Sequence, residues 1–217
     1  MICVSIAESD FETCVNRIKE EQLAEVRLDA GDFTAEQVKV IFSQSIPLIA
    51  TCRDVPFLHE KRQSIIEQAI TSGASYVDIE IESDPAYREA LVKTARDNNC
   101  TIIISYHNFK ETPSAEELAG IVLKAKKYGA DIVKIACMVN SAEDNYTLLQ
   151  LYPAEFLLVA IGMGDKGMIS RIMAPVLGAP FTFASPDKGN PTAPGQISKT
   201  AMKNLIQHII NNTSTKS

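Results

Sequence analysis

The sequence predicts an α/β protein folded as one compact (β/α)8 barrel, a TIM barrel of eight parallel strands ringed by helices. Three observations predict it. Apolar runs of strand length alternate eight times with polar or amphipathic runs of helix length across 217 residues. No tight-hairpin signal joins any two strands, so they must run parallel with a helix crossing between them. The first strand-to-helix turn, Ala7-Glu8-Ser9-Asp10, lacks the glycine fingerprint of an open dinucleotide-binding sheet. The chain is shorter than the ~250 residues usual for such a barrel. Its composition, 46% hydrophobic and 22% charged, excludes a disordered or collagen-like chain.

The first strand is expected over 2–7, followed by a helix over 9–20. The second strand, 23–29, sets Glu25, Arg27 and Asp29 on one face and Val26 and Leu28 on the other. Thr34, with Glu36 and Gln37 behind it, opens a helix over 34–44 as a capping signal. The third strand, 47–53, ends on Thr51 and Arg53, and the helix over 59–72 stops at Gly73. The fourth strand, 76–82, alternates Asp78, Glu80 and Glu82 with Val77, Ile79 and Ile81. Asp84-Pro85 then starts a helix over 85–98. The fifth strand, 101–108, carries Ser105 and His107 to its end, and Ser114 with Glu116 and Glu117 opens a helix over 114–128, stopped at Gly129. The sixth strand, 131–138, holds Lys134 between Val133 and Ile135, and a helix follows over 141–150. The seventh strand, 156–162, leads to a helix over 166–178. The eighth, 181–185, leads to a last helix over 196–211. No linker interrupts the series, so 1–217 reads as a single catalytic domain with a frayed polar tail over 211–217.

Charge narrows the partners. The chain has 21 Lys and Arg against 27 Asp and Glu, a net −6, which argues against nucleic acid or an anionic membrane surface. An anionic small molecule then needs a few arginines gathered in one pocket. No run approaches the ~18 apolar residues of a membrane helix, and the start shows neither a basic region nor a cleavage site. Five cysteines, Cys3, Cys14, Cys52, Cys100 and Cys137, are odd in number and form no CxxC. They read as reduced core thiols of a cytoplasmic protein, with no zinc site.

Barrel strands ordinarily point Val, Ile and Leu inward. Here five strands place charged or polar residues on one face near their C-terminal ends. A lone charge at a strand end usually reaches water, and a buried ion-pair network for stability is the other bland account. Such pairs often fail to offset their desolvation, and barrel active sites lie at this end of the strands. The set therefore reads as a site. Lys134 is its sharpest member: burial in an apolar strand strips hydration from the charged amine, favouring the neutral form that attacks a carbonyl. A snorkelling lysine is the competing account. His107 closes a neighbouring strand, so the two side chains would meet one substrate. A protonated imine makes the adjacent C–H acidic, an imidazole takes that proton, and the enamine expels a β-hydroxyl.

Six tags in order, Glu25-Val26-Arg27-Leu28-Asp29, Ala50-Thr51-Cys52-Arg53, Ser105-Tyr106-His107-Asn108-Phe109, Asp131-Ile132-Val133-Lys134-Ile135-Ala136, Ile169-Ser170-Arg171 and Thr192-Ala193-Pro194-Gly195-Gln196, resemble the type I 3-dehydroquinate dehydratases. The resemblance spans the chain. It implies a (β/α)8 barrel, commonly a homodimer, that needs neither metal nor organic cofactor. It implies that Lys134 forms a Schiff base with the C3 ketone of 3-dehydroquinate, an anionic hydroxy-keto acid of the shikimate pathway. His107 would move the proton and help water leave, giving 3-dehydroshikimate by syn elimination. Arg171 and Gln196 would hold the substrate carboxylate, Glu25, Arg27 and Arg53 would face the ring hydroxyls, and Ser5 would add a first-strand contact. Thr192 keeps the hydroxyl where the family often has serine. One departure stands out. The family often carries Glu-Gly shortly after the third-strand arginine, the glutamate orienting the histidine, whereas here Phe57 stands four residues after Arg53. Glu60, Asp78 or Glu80 is left to orient His107.

On the residues alone, Arg171 reads rather as a surface arginine of the 166–178 helix, and Gln196 rather as a helix-opening polar residue. The Pro- and Gly-rich stretch 185–195 has the length of a mobile lid. Two other functions remain open. Gly162-Met163-Gly164-Asp165-Lys166-Gly167 resembles a phosphate loop, which would suit a class I aldolase or transaldolase. A non-catalytic barrel binding a sugar acid or a partner protein would not need Lys134 or His107.

Overall fold

In the computed structural model, described over residues 1–56, 58–152 and 155–213, strands and helices alternate from end to end. The elements are β1 (Ile2–Ile6), α1 (Phe11–Ile18), β2 (Ala24–Arg27), α2 (Ala35–Phe42), β3 (Leu48–Thr51), α3 (Arg62–Thr71), β4 (Tyr76–Glu80) and α4 (Pro85–Asp97). They continue with β5 (Thr101–Asn108), α5 (Ala115–Lys127), β6 (Ile132–Met138), α6 (Ala142–Leu149), β7 (Leu157–Met163), α7 (Met168–Met173), β8 (Thr182–Ala184) and α8 (Lys199–Thr213). All pairings are parallel, in the order β7-β6-β5-β4-β3-β2-β1-β8. The barrel is nearly closed: among the described residues no ladder joins β7 to β8.

The local signals explain where helices begin and end. Thr34 and Gln37 form a reciprocal capping box at α2, and Ser114 and Glu117 form another at α5. The Asp84 carboxylate accepts from the Ala86 and Tyr87 amides ahead of α4. Gly73 and Gly129 follow α3 and α5 at φ of 107° and 91°, a left-handed conformation that a Cβ disfavours. Outward-facing Val26, Ala50, Val77, Ile79, Ile102, Ile104, Val133 and Ile135 pack under the helices in one continuous apolar core.

Several boundaries differ from the sequence reading, the third strand among them, which stops at Thr51 with Arg53 just beyond it. The second and fourth strands stop at Arg27 and Glu80, so Asp29 falls in a 3-10 turn (Leu28–Ala30) and Glu82 is exposed. The expected 166–178 helix is a 3-10 turn (Asp165–Gly167) followed by the six-residue α7. Finally, 211–213 continue α8 rather than fraying, while 214–217 lie outside the described residues. Among the described residues no helix is long and apolar enough to cross a membrane.

Candidate active site

Parallel register puts side chains that lie beside one another on the same face of the sheet. Ser5 lies beside Glu25, Arg27 beside Thr51, Thr51 beside Asp78, Glu80 beside Ser105, Ser105 beside Lys134, and His107 beside Ala136. That face points into the barrel. Above it, at the C-terminal strand ends, a cavity of about 400 Å³ is lined by Ser5, Glu25, Arg27, Arg53, Glu80, His107, Lys134, Arg171, Thr192 and Gln196, with Ala136, Ile161, Met163 and Phe183 supplying an apolar wall. Below it, Tyr76, Phe181 and Phe183 stack edge to face and fill the barrel.

The polar layer is a closed set of hydrogen bonds. Glu25 accepts from Ser5 Oγ at 2.7 Å and from Thr51 Oγ1 at 3.0 Å, and lies 3.7 Å from Lys134 Nζ. Asp78 accepts from Ser105 Oγ at 2.6 Å, Lys134 Nζ at 2.8 Å and Arg53 NH1 at 3.0 Å. Glu80 lies 3.4 Å from Arg53 NH1 and accepts from Arg62 NH2 at 2.9 Å. Three carboxylates thus face three cations, which makes the burial of Glu25, Asp78, Lys134 and Arg62 and the half-burial of Arg53 and Glu80 tolerable. Burial by itself raises the Asp78 carboxyl, but Arg53 and Lys134 outweigh it and hold the group well below the usual carboxylate range. Arg27 forms a two-point pair with Asp29, whose carboxylate also accepts from the Arg53 amide at 3.1 Å.

Lys134 is 5% exposed, and its Nζ sits 4.4 Å from the centre of the Phe183 ring. Its apolar neighbours in sequence face the helices. Across the barrel it meets two carboxylates, a hydrogen bond to Asp78 and the nearby charge of Glu25, which offset the hydration lost on burial. His107 opens onto the same cavity, stacked on Phe109 at 6.1 Å. Burial, and then the charges of Lys134 and Arg53, push its pKa well below 6.5, with Asp78 opposing. The ring is therefore a neutral base at physiological pH. Of the three carboxylates considered for orienting it, Glu60 is exposed and outside the cavity, Asp78 lies beneath it, and Glu80 lines it. Phe57 lies outside the described residues. The other histidines are exposed, and His59 pairs with Asp54 at 2.8 Å.

Arg171 is not a surface arginine. It is 1% exposed, NH2 donates to the Pro194 carbonyl at a long 3.4 Å, and Nε has no partner among the described residues. Burial pushes its pKa down to about 10. The glycine-rich turn explains how it gets there. A Cβ on Gly167 would lie 2.5 Å from the Gly162 carbonyl carbon, and Ser170 Oγ accepts from the Gly162 amide at 2.7 Å while donating to the Gly167 carbonyl at 2.8 Å. These contacts press α7 onto the end of β7 and aim Arg171 inward. The phosphate-loop reading fails here, because the Gly162, Gly164 and Gly167 amides already donate to Ser170, Pro194 and Gly164. Gln196 lies three residues before α8 instead of opening it. It donates to Ser5 Oγ at 3.3 Å and accepts from the Thr192 amide and hydroxyl at 2.8 and 3.1 Å.

Sequence reasoning missed Arg62 and the apolar wall. Arg62 looks like any arginine of an amphipathic helix, and only its tertiary contacts single it out. Ala136, Ile161, Met163 and Phe183 were open to the same period-two argument that exposed Lys134.

A family model described as type I 3-dehydroquinase matches residues 2–213. The chain belongs to that family. As a type I 3-dehydroquinase it is 33% identical over 221 residues to the 3-dehydroquinate dehydratase of Methanococcus maripaludis strain C5, covering 96% of this chain and all of that one. It is 34% identical over 220 residues to that of Methanocaldococcus jannaschii, covering 94% and 97%. The crystal structure of the 3-dehydroquinate dehydratase from Aquifex aeolicus VF5 superposes with a TM-score of 0.78 at 29% identity, covering 96% and 98%. That from Geobacillus kaustophilus HTA426 reaches 0.85 at 24% identity, covering 97% and 91%, a likeness of fold. Type I 3-dehydroquinases are hydro-lyases, so the chain is an enzyme acting on a small molecule.

Proposed function

We propose that the chain dehydrates 3-dehydroquinate to 3-dehydroshikimate in the shikimate pathway, through an imine on Lys134. The observation that carries this reading is a buried lysine amine opening, beside a neutral imidazole, onto a cavity that also holds an unsatisfied arginine. Arg171 supplies a planar donor fork for the substrate carboxylate, with Gln196 beside it. Glu25, Arg27 and Arg53 face the ring hydroxyls. The Lys134 ammonium passes a proton to His107, its amine attacks the C3 ketone, and the carbinolamine oxygen takes that proton back from His107 together with the second amine proton and leaves as water, giving the iminium. His107 removes a C2 proton, the electron pair moves into the C–N system, and the enamine expels the C1 hydroxyl, which takes the proton back from His107 and leaves as water. Hydrolysis of the iminium returns the amine and the ketone. The net reaction releases one water, with no redox change.

Borohydride reduction in the presence of 3-dehydroquinate, followed by peptide mass spectrometry, tests this. The expected result is a covalent adduct on Lys134. Full turnover with an unmodified Lys134 would remove the mechanism. Two further readings belong to the proposal. A homodimer follows from the resemblance and should sediment at twice the 23.7 kDa of one chain. A cytoplasmic location is supported by five free, buried cysteines.

A further inference from the structure

Arg62 lies outside the substrate cavity and does three things at once. Its Nε donates to the Cys52 carbonyl at 2.8 Å, its NH2 donates to Glu80 at 2.9 Å, and its guanidinium lies 4.7 Å from the centre of the Tyr87 ring on α4. Cys52 directly precedes Arg53, and Glu80 is a carboxylate that Arg53 faces at 3.4 Å. One buried side chain therefore fixes both the main chain leading into Arg53 and the orientation of its partner. It also ties the start of α3 to the end of β3, closing the base of the segment between them.

We propose that Arg62 is a positioning residue for the dehydration, holding Arg53 and Glu80 in the geometry that meets the substrate ring. A guanidinium suits this task because its planar fork serves two acceptors in fixed directions while its face stacks on an aromatic ring. A lysine ammonium can satisfy one acceptor there but not that combination. Without Arg62, Glu80 faces only Arg53 among the described residues and can swing toward solvent, which leaves the Arg53 guanidinium held by Asp78 alone and its tilt toward the ring less fixed. The proposal rests on the dehydratase reading.

The test is steady-state kinetics of Arg62→Met, Arg62→Lys, Glu80→Gln and Arg62→Met/Glu80→Gln with 3-dehydroquinate, each beside its melting curve. Losing a charged hydrogen bond that orders a binding group should lower kcat/KM roughly tenfold or more, mainly through KM, because Arg53 meets the ring in ground and transition states alike. Arg62→Lys should not restore it, and the double variant should fall little below either single one, since the two residues act as a unit. A variant with a lower melting temperature but kcat/KM within about twofold of the parent when folded would overturn the proposal, as would additive losses in the double variant. Should Arg62→Met not fold, Arg62→Lys paired with Glu80→Gln supplies the same cycle. A parent enzyme that fails to dehydrate 3-dehydroquinate sinks the functional reading instead, a result no Arg62 variant can imitate.

Discussion

Replacing Arg171 with methionine is expected to stabilise the ligand-free enzyme while removing most of its turnover. The guanidinium is 1% exposed, its hydrogen bond to the Pro194 carbonyl is 3.4 Å long, and Nε is unpartnered among the described residues. A pKa pushed down by burial to about 10 means that the charged form has lost on the order of 3 kcal/mol in the folded state. Methionine fills most of the space and forfeits about 1 kcal/mol of hydrogen bonding. The net gain is on the order of 1–2 kcal/mol, or roughly 2–8 °C in melting temperature for a domain of this size. The sign is set by linkage: burial puts the folded pKa below the unfolded one, so the whole burial cost is present at pH 7. Urea denaturation at pH 7 should therefore favour the methionine form. Its kcat/KM should drop on the order of 10²-fold, since a buried charge would no longer meet the substrate carboxylate. A methionine variant less stable than its parent, or one that keeps near-parental kcat/KM, would refute the reasoning.

The remaining predictions concern the base, the buried pair and the loop. His107→Ala should lower turnover on the order of 10²–10⁴-fold, read from the ultraviolet absorbance of the conjugated product. Because His107 is held neutral well below 6.5, the acid limb of the kcat/KM profile should lie below that pH, and a limb at or above it would contradict the assignment. Asp78→Asn leaves Lys134 and Arg53 one carboxylate short and should cost about 3–5 kcal/mol of unfolding free energy at pH 7. The folded carboxyl lies below its unfolded value, so this gap should stay level from about pH 8 to 5 and shrink as pH falls below about 4. Residues 185–195, tied down through Arg17 to the Lys188 carbonyl and through Pro194 to Gly164, should gain hydrogen-exchange protection when substrate binds. Equal exchange with and without substrate would remove the lid.

Alternation was enough to read the barrel, because a strand buried on both faces and a helix buried on one leave different periods in a linear sequence. The same logic placed Glu25, Asp78, Ser105 and Lys134 on one inward face, since side-chain direction along a strand depends only on parity. The caps at Thr34, Asp84 and Ser114 were equally local and equally legible. What parity cannot report is who stands opposite. That Lys134 is bound to Asp78, that Arg171 is buried without a full set of partners, and that Arg62 reaches the backbone ahead of Arg53 all depend on contacts between distant segments. The 166–178 stretch shows the difference plainly. Its periodicity suited an ordinary surface helix, but close contact between Gly162 and Gly167 turned a short α7 inward and carried Arg171 with it. The sequence alone determined which faces the strands present. Only the tertiary structure decided which charges meet on them, because that meeting is set by packing across the barrel rather than by spacing along the chain.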